Sequence, residues 1–197
     1  MRSTDTHVFF WGGPFSNWNR SSFPGEAAVA ELLPRLDRIG VAHPAEDSPL
    51  TRLLKAHRFN CGEQFMMAAK AWMFDDATRL RAILAETDPK KQKLLGRDVS
   101  PFFADVWDAA CVDIVASGAI ARFSANPSQR KQLLDTGERV LVEGSPRDRL
   151  WGVGLDWRDE RIEDPLNWRG RNLLGKALAI ARAELSSRYA PRRRFAR

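Results

Sequence analysis

Residues 61–74 read CGEQFMMAAKAWMF, placing Glu63 and Lys70 among Met, Ala, Phe and Trp. At 100° per residue, a seven-residue step comes within about 20° of two full turns. In a helix the two side chains therefore face the same way, roughly 10 Å apart along the axis. Out of water, a carboxyl is pushed toward its acid form and an amine toward its neutral one. Such a pair, bracketing Met66 and Met67, offers a general acid and a nucleophile on a pocket floor. The competing reading has both side chains snorkelling to solvent at the edge of a core helix.

Three further stretches carry chemistry. LVEGSPRDRLWGVG (141–154) delivers Glu143 from a strand, then Asp148, Trp151 and Gly152. A Trp beside glycines suits a stacked base approached closely by backbone, and a carboxylate a turn away suits a sugar hydroxyl or a water. NWRGRNLLG (167–175) sets Arg169 and Arg171 before a helix that starts near Asn172, an arrangement that favours phosphate. FSNW (15–18) places Asn17 and Trp18 in a glycine-flanked loop. A hairpin loop with a buried Trp and a solvated helix start are the plain alternatives for the first two. His7, His43 and His57 have no metal-ligand spacing with one another or with the cysteines, and neither GxxxxGK[ST] nor GxGxxG occurs.

The elements that must position these residues are mostly helical. HVFFW predicts a strand at 7–11 and VLVEG a second short one. Residues 26–39 have helical spacing interrupted by Pro34, which in mid-helix breaks the pattern. Helices are expected from Glu63 to Phe74, over ATRLRAILAET until Asp88-Pro89 stops it, from Ser100-Pro101 to Phe123 with Gly118 as a weak point, and from Asn126-Pro127 to Gly137. Residues 89–95 read as a short basic turn ended by Gly96. A long loop, 145–170, precedes the last helix, RNLLGKALAIARAELSSRY. The expectation is an α+β, helix-rich, single domain with a few short strands.

The totals are ordinary for a soluble globular protein. The chain has 197 residues, 44% hydrophobic and 28% charged, enough for one core without staples. It shows no membrane-length apolar run and no signal-peptide pattern. With two cysteines, Cys61 and Cys111, a reducing, cytoplasmic compartment is expected. Five of the six net positive charges are arginines of the last ten residues, RYAPRRRFAR. That tail, 188–197, reads either as a solvated terminus or as a phosphate contact.

Four segments in order, FSNW, EQFMMAAKAW, LLDTGERVLVEGSPRDRLWGVG and WRGRNLLGKAL, with ANPSQRKQLLDTG before the strand, resemble the NADAR superfamily of YbiA-like N-glycosidases. The resemblance covers residues 8–18 and 59–185. It implies a compact, mostly helical α+β domain over residues 1–187 and cleavage of N-glycosidic bonds. The substrates it implies are phosphorylated intermediates of riboflavin synthesis or ADP-ribose on guanine in nucleic acid. It also implies that Glu63, Lys70, Asp148, Trp151, Gly152 and Asn17 match the family's site. Trp18, Trp107, Arg169, Arg171 and Asn172 complete the expected substrate-binding set, with no metal and no cofactor. Three departures leave the substrate branch open. Residues 19–58 look like an insert able to reshape the pocket mouth, Gln64 replaces a frequent His, and Arg122-Phe123 replaces Lys-Phe. The expected mechanism has Lys70 capture the anomeric carbon as a Schiff base while Glu63 shuttles protons. In a simpler version Glu63 or Asp148 activates water and Lys70 acts only electrostatically. The readings of other classes are a non-catalytic module for ADP-ribose or a nucleotide and, on the Arg-rich tail, a DNA-binding protein.

Overall fold

The computed structural model of the chain describes residues 1–190. The strands are β1 (Arg2–Ser3), β2 (His7–Phe10), β3 (Phe23–Pro24), β4 (Arg58–Phe59) and β5 (Val140–Glu143). The helices are α1 (Gly25–Ile39), α2 (Pro49–Ala56), α3 (Gly62–Met73), α4 (Ala77–Ala85), α5 (Pro89–Arg97), α6 (Ala104–Ala125), α7 (Pro127–Leu134) and α8 (Leu173–Tyr189). The described chain is helix-rich with a few short strands. β2 is the middle strand of a three-stranded sheet, antiparallel to β1 and parallel to β5, with Phe10 opposite Glu143. Parallel strands cannot be joined by a tight turn. Here seven helices, α1 to α7, lie in sequence between β2 and β5. β3 and β4 form a separate two-stranded ladder with Phe23 opposite Phe59.

α6 packs against α1, α3 and α8, and α3 also packs against α4 and α5. Every residue of α3 is buried, Glu63 and Lys70 included. A helix apolar all round belongs inside a core, and α3 has neighbours on all sides. Gly118 is a contact point of α6: a Cβ there would lie 2.5 Å from the Phe65 ring of α3. Gly96 does the same for α5, where a Cβ would sit 2.0 Å from the Met67 sulfur.

Several boundaries differ from the sequence reading. Residues 89–97 form a helix, because Asp88 caps it by accepting from the Lys90 amide and Pro89 takes its first turn. Asp88-Pro89 thus starts a helix as well as stopping one, and Gly96 lies inside it. α6 begins at Ala104, since Phe102 and Phe103 instead lean on Phe74, with ring centroids 5.4 and 6.0 Å apart. Pro34 leaves α1 continuous. It and Ala30, whose carbonyl loses its partner, are both exposed, so water can take that carbonyl. None of residues 19–58 lines the cleft described below. Phe23, Val29, Leu32, Leu36 and Leu54 lie in the main core. Arg188, read as tail, belongs to α8 and forms a two-pronged ion pair with Glu31; the remaining tail arginines lie outside the described residues. Cys61 and Cys111 are buried free thiols. Among the described residues no helix is long and apolar enough to cross a membrane.

Candidate active site

β2 and β5 end side by side and their chains then part, the place where a crevice opens beyond the carboxyl ends of parallel strands. One chain continues as the Trp11–Trp18 loop, the other as the 145–154 segment. The buried Arg122 holds the first loop, donating to the carbonyls of Ser16 (2.7 Å) and Pro14 (3.1 Å). Burial pulls the Arg122 pKa down to about 10, so it stays charged at neutral pH. The Asn17 carbonyl accepts from the Glu63 amide at 2.9 Å, tying that loop to the first turn of α3. The Asp148 Oδ1 closes the second segment by accepting from the amides of Leu150 (3.0 Å) and Trp151 (2.8 Å). Its Oδ2 lies 3.8 Å from the Lys93 ammonium of α5.

Between these elements lies a cleft of two lobes. One, of about 480 Å³, is lined by Trp11, Trp18, Glu143 and Ser145. The other, of about 450 Å³, is lined by Glu63, Lys70, Met66, Trp107 and Trp151. Lys93, Arg97, Arg147 and Asp148 border both. Each lobe has the size of a small-molecule site. Trp11 and Trp18 present exposed indoles, and Lys93 stands 6.0 Å from the Trp18 ring centroid.

Glu63 is 3% exposed, and its Oε1 has no hydrogen-bond partner. Burial drives its pKa up to about 7, against the pull of the Lys93 charge. Glu143 is raised to about 7 as well, by burial first and then by the negative charge of Asp148. Lys70 donates to the Gly96 carbonyl at 2.8 Å and sits 4.1 Å from the Phe102 ring centroid and 5.7 Å from that of Trp107. Burial lowers its pKa. Neither α3 side chain snorkels; both look into the cleft.

Glu63, Lys70, Asp148, Asn17, Trp18, Trp107 and Trp151 therefore converge on the cleft or its floor. Four expected residues do not. Arg169 and Arg171 are exposed and border neither lobe, and Arg171 lies 3.8 Å from Asp108. The reason is main-chain pairing: the amides of Arg169, Arg171 and Asn172 bond the carbonyls of Val153, Arg149 and Gly152. Asn172 is buried as a brace, donating to the Leu141 carbonyl and accepting from the Glu143 amide. Gly152 serves packing, since a Cβ there would fall 2.8 Å from the Glu143 carbonyl oxygen. The cations bordering both lobes are Lys93, Arg97 and Arg147, and Lys70 and Arg149 line the second lobe alone. Lys93 and Arg97 share one face of α5 by their four-residue spacing, a signal that reading 89–95 as a turn concealed. Two of the departures lie off the cleft wall. Gln64 points at the carbonyls of Ile83, Leu84 and Glu86, and Arg122 braces the loop from behind.

A family model described as the NADAR domain matches residues 9–186. The chain belongs to the NADAR domain family. Protein irg-1 of Caenorhabditis elegans is 41% identical over 68% of this chain, and the match spans 64% of that protein's length. An N-glycosidase of Acanthamoeba polyphaga mimivirus is 43% identical over 62% of this chain and 72% of its own. The solved structure of the Escherichia coli protein YbiA superposes with a TM-score of 0.64 at 20% identity, covering 95% of this chain and 89% of YbiA. At that identity YbiA speaks for the fold, and the NADAR domain here is one such helix-rich unit.

Proposed function

We propose that this NADAR domain is an N-glycosidase that hydrolyses the bond between ribose and base in a phosphate-bearing ribosylated base. The observation that carries this reading is Glu63: a buried carboxyl, titrating near 7, that opens on a cleft bordered by cations and indoles. Breaking an N-riboside leaves electrons on the base nitrogen and positive charge on the sugar. A half-protonated acid at neutral pH suits the first need and a nearby carboxylate, Asp148, the second. General acid catalysis of this kind is worth ~10²–10⁴-fold in rate. A relative named as an N-glycosidase supports the same chemistry.

The two lobes favour an elongated substrate with its charge in the middle. Lys93, Arg97 and Arg147 lie between the aromatic ends, Trp11 and Trp18 on one side and Trp107 and Trp151 on the other. ADP-ribose attached to guanine in nucleic acid has that order of groups, base–ribose–diphosphate–ribose–base, and is the first candidate. The compact phosphorylated pyrimidines of riboflavin synthesis would fill one lobe and are the second. The arrangement favours attack by water over capture by Lys70, whose ammonium is already bonded to Gly96 and held over Phe102.

The test is incubation of the protein with ADP-ribosylated guanine DNA and, separately, with the phosphorylated pyrimidines, reading release by mass spectrometry. Release from the DNA, lost in Glu63→Gln, is the expected result. Release from the pyrimidines alone moves the substrate to the metabolic branch. Binding without release from either makes the domain a nucleotide-binding module. Borohydride added during turnover should trap no adduct on Lys70; a substrate-dependent adduct there restores the Schiff-base route.

A further inference from the structure

Adjoining both lobes is a third space, a chamber of about 40 Å³. Glu63, Glu143, Asp148, Lys93, Asn17 and Trp18 border it. A water needs about 10–15 Å³ measured this way, together with two to four polar partners. The chamber therefore has room for about three waters. Two of its carboxylates each leave one oxygen buried without a hydrogen-bond partner, Glu63 Oε1 and Glu143 Oε2. Orphaned acceptors are costly in a folded protein and call for a ligand or a role.

Glu143 is also fixed through its main chain. It ends β5 opposite Phe10 of β2. Its amide donates to the Asn172 side chain and its carbonyl accepts from Val153 at 3.0 Å. A rigid strand end holds a catalytic group more closely than a loop does.

We propose that the chamber holds the hydrolytic water and that Glu143 is its general base, a catalytic residue paired with Glu63 as general acid. This rests on the N-glycosidase reading above. In the step, Glu143 takes a proton from the water, and the water oxygen bonds to the anomeric carbon. The carbon–nitrogen bond breaks with its electron pair passing to the base nitrogen, which receives the Glu63 proton. The two carboxyls hold one proton between them before and after, on opposite members. The charged groups facing Glu143 are Glu63 from α3, Lys93 from α5 and Asp148 from the loop. Both glutamates titrate near 7, so the one-proton state is well populated where the reaction must run.

The experiment compares Glu143→Gln and Glu143→Ala with the unaltered protein on the substrate it cleaves, with and without sodium azide. Glu143→Gln should lose ~10²–10⁴-fold in kcat while still binding substrate, and the acidic limb of its pH profile should vanish. In Glu143→Ala, azide enters the vacated space and needs no base, so turnover should recover and mass spectrometry should find the ribosyl azide. Glu143→Gln turning over within about threefold of the unaltered protein overturns the assignment. So does a loss that azide fails to restore in folded, substrate-binding Glu143→Ala, which would mark Glu143 as a brace. If Glu143→Ala does not fold, the isosteric Glu143→Gln decides alone, through its rate and the loss or survival of that acidic limb. An unaltered protein that cleaves nothing ends the N-glycosidase reading itself, a result distinct from an active enzyme indifferent to Glu143.

Discussion

Two regions offered charge for a ligand: the helix pair α3–α5, with Glu63, Lys70, Lys93 and Arg97, and the entry to α8, with Arg169, Arg171 and Asn172. The first delivers its charges into one cleft and the second delivers none. On α3 and α5 the side-chain directions follow from helical periodicity, so residues seven and four apart must share a face. At the α8 entry the backbone is tied to the 149–153 segment by five hydrogen bonds, from the amides of Arg169, Arg171, Asn172, Leu173 and Leu174, and that pairing sets where the side chains go. A helix carries its chemistry in its sequence spacing. A loop takes its chemistry from whatever it is strapped to.

The contrast is most sharply tested at its acidic end. Glu63→Gln should lower kcat by ~10²–10⁴-fold with little change in KM, because the group acts on the leaving base and not on binding. Steady-state kinetics on the cleaved substrate measures it; full activity would take Glu63 out of the chemistry.

The same residue should be visible in stability. Its folded pKa, about 7, lies above the ordinary 4.5. Between those values the unfolded chain gives up the proton more readily than the folded one. Stability is therefore greatest below pH 4.5 as far as this group is concerned, and falls as pH rises through about 7. Glu63→Gln should remove that loss, so its melting temperature should exceed that of the unaltered protein at pH 8 and approach it at pH 5. Thermal unfolding at the two pH values checks the sign.

The cleft cations should matter through binding. Arg97→Ala, on the exposed end of α5, should raise KM for a diphosphate-bearing substrate by ~10–100-fold, the worth of a charge-assisted hydrogen bond of about 1.5–3 kcal/mol. Titration of ADP-ribose onto the protein by calorimetry measures the same term without turnover.

At the α8 entry the effects should be structural or absent. Asn172→Ala strips partners from the Leu141 carbonyl and the Glu143 amide. It should cost about 1–3 kcal/mol of stability, read by urea denaturation, with activity falling only as Glu143 loosens. Arg171→Ala, whose side chain is exposed beside Asp108, should stay within about 0.5 kcal/mol in stability and within about twofold in KM. A large KM effect there would bring the α8 entry back into the site and erase the contrast between the regions.

Local periodicity and composition govern one part of this protein. The face shared by Glu63 and Lys70, the apolar burial of α3, the strand ending in Glu143 and the family resemblance are all matters of residue types and spacing. The rest follows from how the elements pack. Packing turned Gln64 toward main-chain carbonyls, put Arg122 behind the FSNW loop, made residues 19–58 core, and drew Asn172 inward as a brace. It also brought Glu143, Asp148 and Lys93 to Glu63, although some 80 residues separate the two glutamates in sequence. Those four come from two helices, a strand end and a loop. Their meeting depends on β2 and β5 ending side by side while seven helices pack between them, and no local pattern encodes that pairing.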